Sequence, residues 1–176
     1  MAKAMGIDDT QSLGDIVCAS FIAHIGNTQF DYRLSRKSHL EQTIKEQGQC
    51  KKHLGLAQHL IRKSGVLISE RCNQIMYQHH ERVDGSGYPE YKKGEFMDPL
   101  GVLLSATTHI VEYSSGLITG KKYPLKEIIN CFKTKNPLPH LNIQYDAMVE
   151  DLMANILDER PHDDNLVDDV TNVTAA

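Results

Sequence analysis

The sequence predicts an all-α fold, a helical bundle of about six helices. Three observations carry this. Apolar residues recur at helical spacing in successive segments, and capping residues, Pro and Gly stand where those segments begin and end. No stretch alternates convincingly with the period of two that a half-buried strand would show. With 176 residues, 40% of them hydrophobic, the chain can bury a core of its own.

The first helix follows Asp8 and Asp9 as N-caps, places Leu13, Ile16, Val17, Ser20, Phe21 and His24 at helical spacing, and stops at Gly26. A second runs from about Gln49 to Arg62 with Leu56, Leu60 and Ile61 on one side, and Gly65 ends it. A third, from about Leu67 to Arg82, carries Ile68, Cys72, Ile75, Met76 and His79 on one stripe. After a loop from Asp84 to Asp98 comes a fourth, Pro99 to Tyr113, with Leu100, Leu103 and Leu104. Pro124 suits the first turn of a fifth, which holds Ile128, Ile129 and Phe132. The sixth spans roughly Ile143 to Leu157. The stretch Gln29–Gln47 shows no firm pattern.

Charge and composition exclude several classes. Lys plus Arg is 19 against 23 Asp plus Glu, a net charge of −4, which argues against a nucleic-acid partner because phosphate binding needs a basic face. No apolar run approaches the roughly 20 residues of a membrane span. Met1-Ala2-Lys3-Ala4 opens no apolar signal segment, so a cytoplasmic location is expected. Cys18, Cys50, Cys72 and Cys131 lie far apart and form no C-x-x-C pair, as expected of reduced thiols. Six of the acids fall between Asp158 and Ala176 beside a single Arg. The expected organisation is a helical domain over 1–157 and an acidic flexible tail over 158–176.

Nine histidines are the informative part of the composition. His79 and His80 are adjacent near the predicted end of the third helix, His24 ends the apolar stripe of the first, and His53 sits early on the second. Taken singly, each reads as a core histidine bonded to a carbonyl. Imidazoles at the inner ends of several helices are also how a bundle assembles a metal site from residues distant in sequence. His24, His53, His79 and His80 are therefore the candidate metal ligands.

The run His79-His80-Glu81-Arg82-Val83-Asp84-Gly85-Ser86-Gly87-Tyr88-Pro89 resembles the signature of the HD-GYP family, bacterial helical phosphodiesterases of the HD metal-dependent phosphohydrolase superfamily that hydrolyse cyclic di-GMP. Lys52-His53-Leu54-Gly55, Gly94-Glu95 and Leu103-Leu104 extend the resemblance, which covers about Ala2 to Leu157. It implies the HD-superfamily bundle and a divalent-metal centre. In the family an additional helix upstream can supply ligands, and the resemblance here starts after it.

The departures fall on the metal centre. The family's paired His and Asp coincide with Ala23 and His24, its following Lys with Asn27, and its final Asp, counted without a gap, with Thr108; a slip of one residue would bring His109 there. A carboxylate has two oxygens and can bridge two metals, whereas imidazole cannot bridge in that way, Ala23 ligates nothing, and Asn27 offers a phosphate no cation. The expectation is thus a degenerate HD-GYP-like signalling domain that lacks cyclic di-GMP phosphodiesterase activity and acts as a regulatory or docking module. The resemblance names its partners by class: a diguanylate cyclase domain or a response-regulator receiver domain, with cyclic di-GMP as a ligand. Asp84, Gly85, Gly87, Tyr88 and Pro89 are the expected binding loop, with Tyr88 partly exposed, and the whole stretch Asp84–Asp98 is expected to be mobile; the rival reading is that the loop only folds the turn between two helices, with Tyr88 a structural plug packed on the third helix. The alternative is an enzyme with one metal (Zn²⁺, Fe²⁺, Mn²⁺ or Ni²⁺) on the four histidines; one bound metal would favour that reading, and none the regulatory one. A third reading makes the chain one output domain of a larger response regulator.

Overall fold

The computed structural model describes residues 6–134, 136, 138–141 and 149–150. Seven α-helices follow one another among them: α1 (Thr10–Ile22), α2 (Tyr32–Arg36), α3 (Ile44–Cys50), α4 (His53–Ser64), α5 (Glu70–Tyr77), α6 (Pro99–Ser114) and α7 (Leu125–Thr134). Short 3-10 turns cover Ile25–Gln29 and Gly94–Phe96. No strand occurs among the described residues, and Asp84 and Lys93 form an isolated antiparallel bridge. The all-α expectation therefore holds. The predicted sixth helix lies outside the described residues except for 149 and 150, which are helical, and the acidic tail lies outside them entirely.

Helix α6 is the spine. Asp98 caps it through a 2.8 Å bond from Leu100 N–H, Pro99 occupies its first turn, and eleven of its 16 residues are buried, which only a helix enclosed on most sides can show. One side of α6 packs with Ala19 and Ala23 of the α1 end, Ala57 of α4, and Cys72, Ile75 and Met76 of α5. The other packs Ala106, Ile110 and Tyr113 on Ile128, Cys131 and Phe132 of α7. Polar ties lock the first group at its outer edge. Arg71 on α5 makes a paired contact with Asp98, 2.8 and 3.2 Å, and donates to Ser12 of α1 at 2.6 Å. Asp15 of α1 accepts from Ser69, whose hydroxyl also caps α5.

Two predicted helices end differently from expectation. The segment Gln49–Arg62 is not one helix: α3 stops at Cys50 and α4 begins at His53. Thr43 and Glu46 form a capping box that starts α3 inside the stretch left without a pattern. The predicted third helix, Leu67–Arg82, is shorter at both ends, because Ser69 caps at one and the chain turns at Gln78 at the other. Gln78 is fully buried and its side-chain oxygen accepts from Asp98 N–H at 3.0 Å, an anchor that a continuing helix would carry away from α6. His79 and His80 thus sit in the turn after α5, not on the helix.

Candidate metal centre

Four imidazoles converge where the turn after α1, the start of α4 and the turn after α5 meet. Each of His24, His53, His79 and His80 offers one ligand atom, and these atoms all lie within 4.8 Å of one another. Gly26 makes the approach possible: a Cβ there would overlap the His53 carbonyl and the backbone of α4, so only glycine lets the 3-10 turn press His24 against α4. The His24 and His53 rings stack with centroids 5.6 Å apart, and those of His79 and His80 lie 4.1 Å apart. His53, His79 and His80 are buried and His24 is half-buried.

The hydrogen bonds fix which nitrogens face inward. His53 Nδ1 bonds the Cys50 carbonyl at 2.7 Å, and His79 Nδ1 bonds the Met76 carbonyl at 2.6 Å. A carbonyl only accepts, so both Nδ1 atoms carry the proton and both neutral rings present a bare Nε2 lone pair. These two Nε2 atoms face each other at 3.3 Å. Burial also opposes a second proton on any ring. It lowers the His24 pKa to about 4 with help from the His53 ring, and lowers His53 despite its carbonyl bond. His79 and His80 are driven well below the ordinary histidine range, first by burial and then by the neighbouring rings.

Inward lone pairs with no proton between them suit a cation. Two ligands about 2.0–2.1 Å from a tetrahedral zinc stand about 3.3 Å apart, and each ring's other nitrogen is held by a carbonyl, the usual support for a ligating histidine. The residues present therefore fit a divalent metal, with His24, His53, His79 and His80 as its holders. Neutral nitrogen donors favour Zn²⁺, Fe²⁺ or Ni²⁺ over Mg²⁺ or Ca²⁺, which take oxygen.

The other sequence candidates separate into two groups. Ala23 is 1% exposed and packed with Ala19 and Leu103 in the core, so no ligand atom stands there. Thr108 is half-buried on α6 and outside the group of four. His109 does not replace it: its Nδ1 accepts from Arg82 at 2.8 Å, and burial beside that guanidinium lowers its pKa to about 3. Asn27 lines a cavity of about 70 Å³ that opens beside His24, His53 and His80 and is also bordered by Lys37, His39 and Tyr88.

Hydrogen bonds run across the Asp84–Pro89 bend. Glu81, fully buried, accepts from Glu90 N–H at 2.6 Å and Lys92 N–H at 3.0 Å, so one carboxylate ties both ends of the bend. Asp84 accepts from the Ser86 amide at 2.9 Å, Gly85 takes φ +80°, and a Cβ at Gly87 would overlap the Glu81–Arg82 backbone. Tyr88 is half-buried, as expected, but its ring stacks on His80 at 4.7 Å and 17°, and Lys51 lies over it at 5.0 Å. Tyr88, joined to Pro89 by a cis peptide bond, thus covers His80 instead of projecting away.

A family model for the HD domain matches residues 1–137. The chain belongs to the HD-domain family. No curated protein matches it. HD domains typically bind divalent metals, and the four histidines of this HD domain form a group that could hold one. Sequence reasoning missed Glu112 of α6, a buried acid whose carboxylate lies 3.9 Å from His80 Nε2 and borders the same cavity. Its signal was present in the spacing: Glu112 lies one helical turn after Thr108 and so on the same face.

Proposed function

We propose that this HD domain is an HD-GYP-like signalling module that holds one divalent metal on His24, His53, His79 and His80, has lost cyclic di-GMP hydrolysis, and works as a regulatory or docking unit. The single observation that supports this is the donor set. Every member of the converging group is an imidazole, and the position that would add a histidine, Ala23, is a packed core methyl. Hydrolysis of a phosphodiester on a two-metal centre needs a carboxylate between the ions, and the family position for it is held by His24.

The module's own residues do the rest. The Cys50 and Met76 carbonyls orient the two facing rings, Tyr88 shields His80, and Gly26 holds the turn after α1 close to α4. The cavity of about 70 Å³ admits a few waters or a small anion, far less than a cyclic dinucleotide. A diguanylate cyclase or receiver domain is the partner class this reading carries, and cyclic di-GMP would bind outside the cavity if at all.

The same cavity favours a second reading, slow hydrolysis of a small phosphoester. A bound divalent metal would polarise a phosphoryl oxygen and acidify a water. His24, Asn27 and His39 would border the substrate, and Lys37, paired with Glu46 at 2.9 Å, lines the same cavity. The test is an assay with purified protein loaded with Mn²⁺ or Fe²⁺. No turnover of cyclic di-GMP above buffer is expected, and turnover would overturn the first reading. Cleavage of a small phosphoester that His53→Asn abolishes would establish the second.

A further inference from the structure

Glu112 stands out among the buried acids of the described residues. Glu81 receives two loop amides, and Asp15 receives Ser69 and Gln11. The Glu112 residue is 8% exposed, yet no described residue donates a hydrogen bond to its carboxylate. Its nearest polar neighbour is His80 Nε2 at 3.9 Å, beyond hydrogen-bonding reach, and that ring is neutral because of its burial. Arg82 acts on it only at a distance, since the Arg82 guanidinium is engaged by the Glu81 carbonyl, Ser105 and His109. Its side chain is 11% exposed and borders the cavity, and a mostly buried carboxylate with neither a protein donor nor a cation beside it is costly.

Position says for what. Side chains of an α-helix lean toward its N-terminus, so Glu112 reaches back over the turn that holds Thr108. It borders the cavity together with His24, His53 and His80. Glu112 thereby brings a carboxylate to the side of the cavity that the histidines border.

We propose that Glu112 is the anionic ligand of the metal held by the histidines, bound from the His80 side through a carboxylate oxygen. This rests on the metal-site reading above. It changes the site from four neutral donors to a mixed imidazole and carboxylate set, which lowers the net charge of the loaded centre by one and suits Zn²⁺ or Fe²⁺.

The test uses the full chain and Co²⁺ as a visible probe, with circular dichroism to check folding. Wild type, Glu112→Gln and Glu112→Asp are titrated with Co²⁺, and affinity and the visible absorption bands are read together. The proposal expects one Co²⁺ per wild-type chain, a Kd raised about 10–100-fold in Glu112→Gln, and altered bands in both variants. Glu112→Asp keeps the charge but shortens the reach, so a Gln variant that fails to fold leaves it as the deciding protein. Equal affinity and an unchanged spectrum in the variants, with wild type binding one ion, would overturn this inference alone. A weaker Kd with unchanged bands would make Glu112 a partner of a metal-bound water and also overturn ligation. No Co²⁺ bound by wild type would overturn the metal site and this inference with it.

Discussion

The Nε2 atoms of His53 and His79 face each other at 3.3 Å while both Nδ1 atoms donate to backbone carbonyls of the preceding helix ends. Two lone pairs so placed repel each other and attract a shared cation. The metal-free protein therefore carries a local destabilisation that an ion removes.

Metal binding should accordingly appear as thermal stabilisation. At free Zn²⁺ about 100 times its Kd, folding gains about 2.7 kcal/mol. For a domain of this size that corresponds to a rise in melting temperature of roughly 5–10 °C. His79→Asn should lose most of the rise, because it removes one of the two facing nitrogens. Calorimetry with and without a chelator checks both, and an equal rise in the variant would refute the role given to His79.

Tyr88 is expected to act through its ring and not its hydroxyl. The ring stacks on His80 and is half-buried, so Tyr88→Ala should cost about 2 kcal/mol, less than a fully buried aromatic truncation. Tyr88→Phe should stay within about 0.5 kcal/mol of wild type. Urea unfolding of the two variants measures this, and a silent Tyr88→Ala would restore the picture of a free docking aromatic.

The Glu81 carboxylate should govern the order of the whole Asp84–Lys93 segment. In wild type the Glu90 and Lys92 amides it receives should exchange slowly with deuterium. Glu81→Ala should release both amides and cost about 1–3 kcal/mol by removing the acceptor they share. Fast exchange in wild type would show the loop to be mobile after all.

Acid sensitivity follows from His109. Its folded pKa is about 3, held down by burial and by Arg82, against about 6.5 unfolded. The unfolded chain therefore binds the extra proton between those values, and stability falls as pH drops through that window. Between pH 7 and pH 5 the loss from this group is about 2 kcal/mol. His109→Gln should remove that part of the slope, as read from denaturant midpoints across pH. A slope identical to wild type would mean that His109 takes up its proton alike in the folded and the unfolded chain.

Much of the fold was legible because α5 and α7 each bury a continuous apolar face, and Asp9, Pro99 and Gly65 mark helix ends by local chemistry alone. The split between α3 and α4 was not, since it depends on the His53 ring reaching the Cys50 carbonyl and on Gly26 fitting against α4. The four histidines were legible as a set from their places on predicted apolar stripes. Glu112 was hidden because a single acid on an apolar helix reads as its solvent side, and only the enclosure of α6 on most sides makes it internal. The fixing of the Asp84–Pro89 bend was hidden for a similar reason: glycines and charges suggest freedom, while the tie comes from one buried acid, Glu81, outside the bend.

The central claim is one metal on these histidines, and metal content per chain tests it most directly. Protein purified, reloaded with Zn²⁺ or Fe²⁺, and freed of excess should hold one ion per chain by elemental analysis, falling to near zero in the double variant His53→Asn, His79→Asn. Two ions per chain, or a wild-type content no higher than that of the double variant, would contradict it.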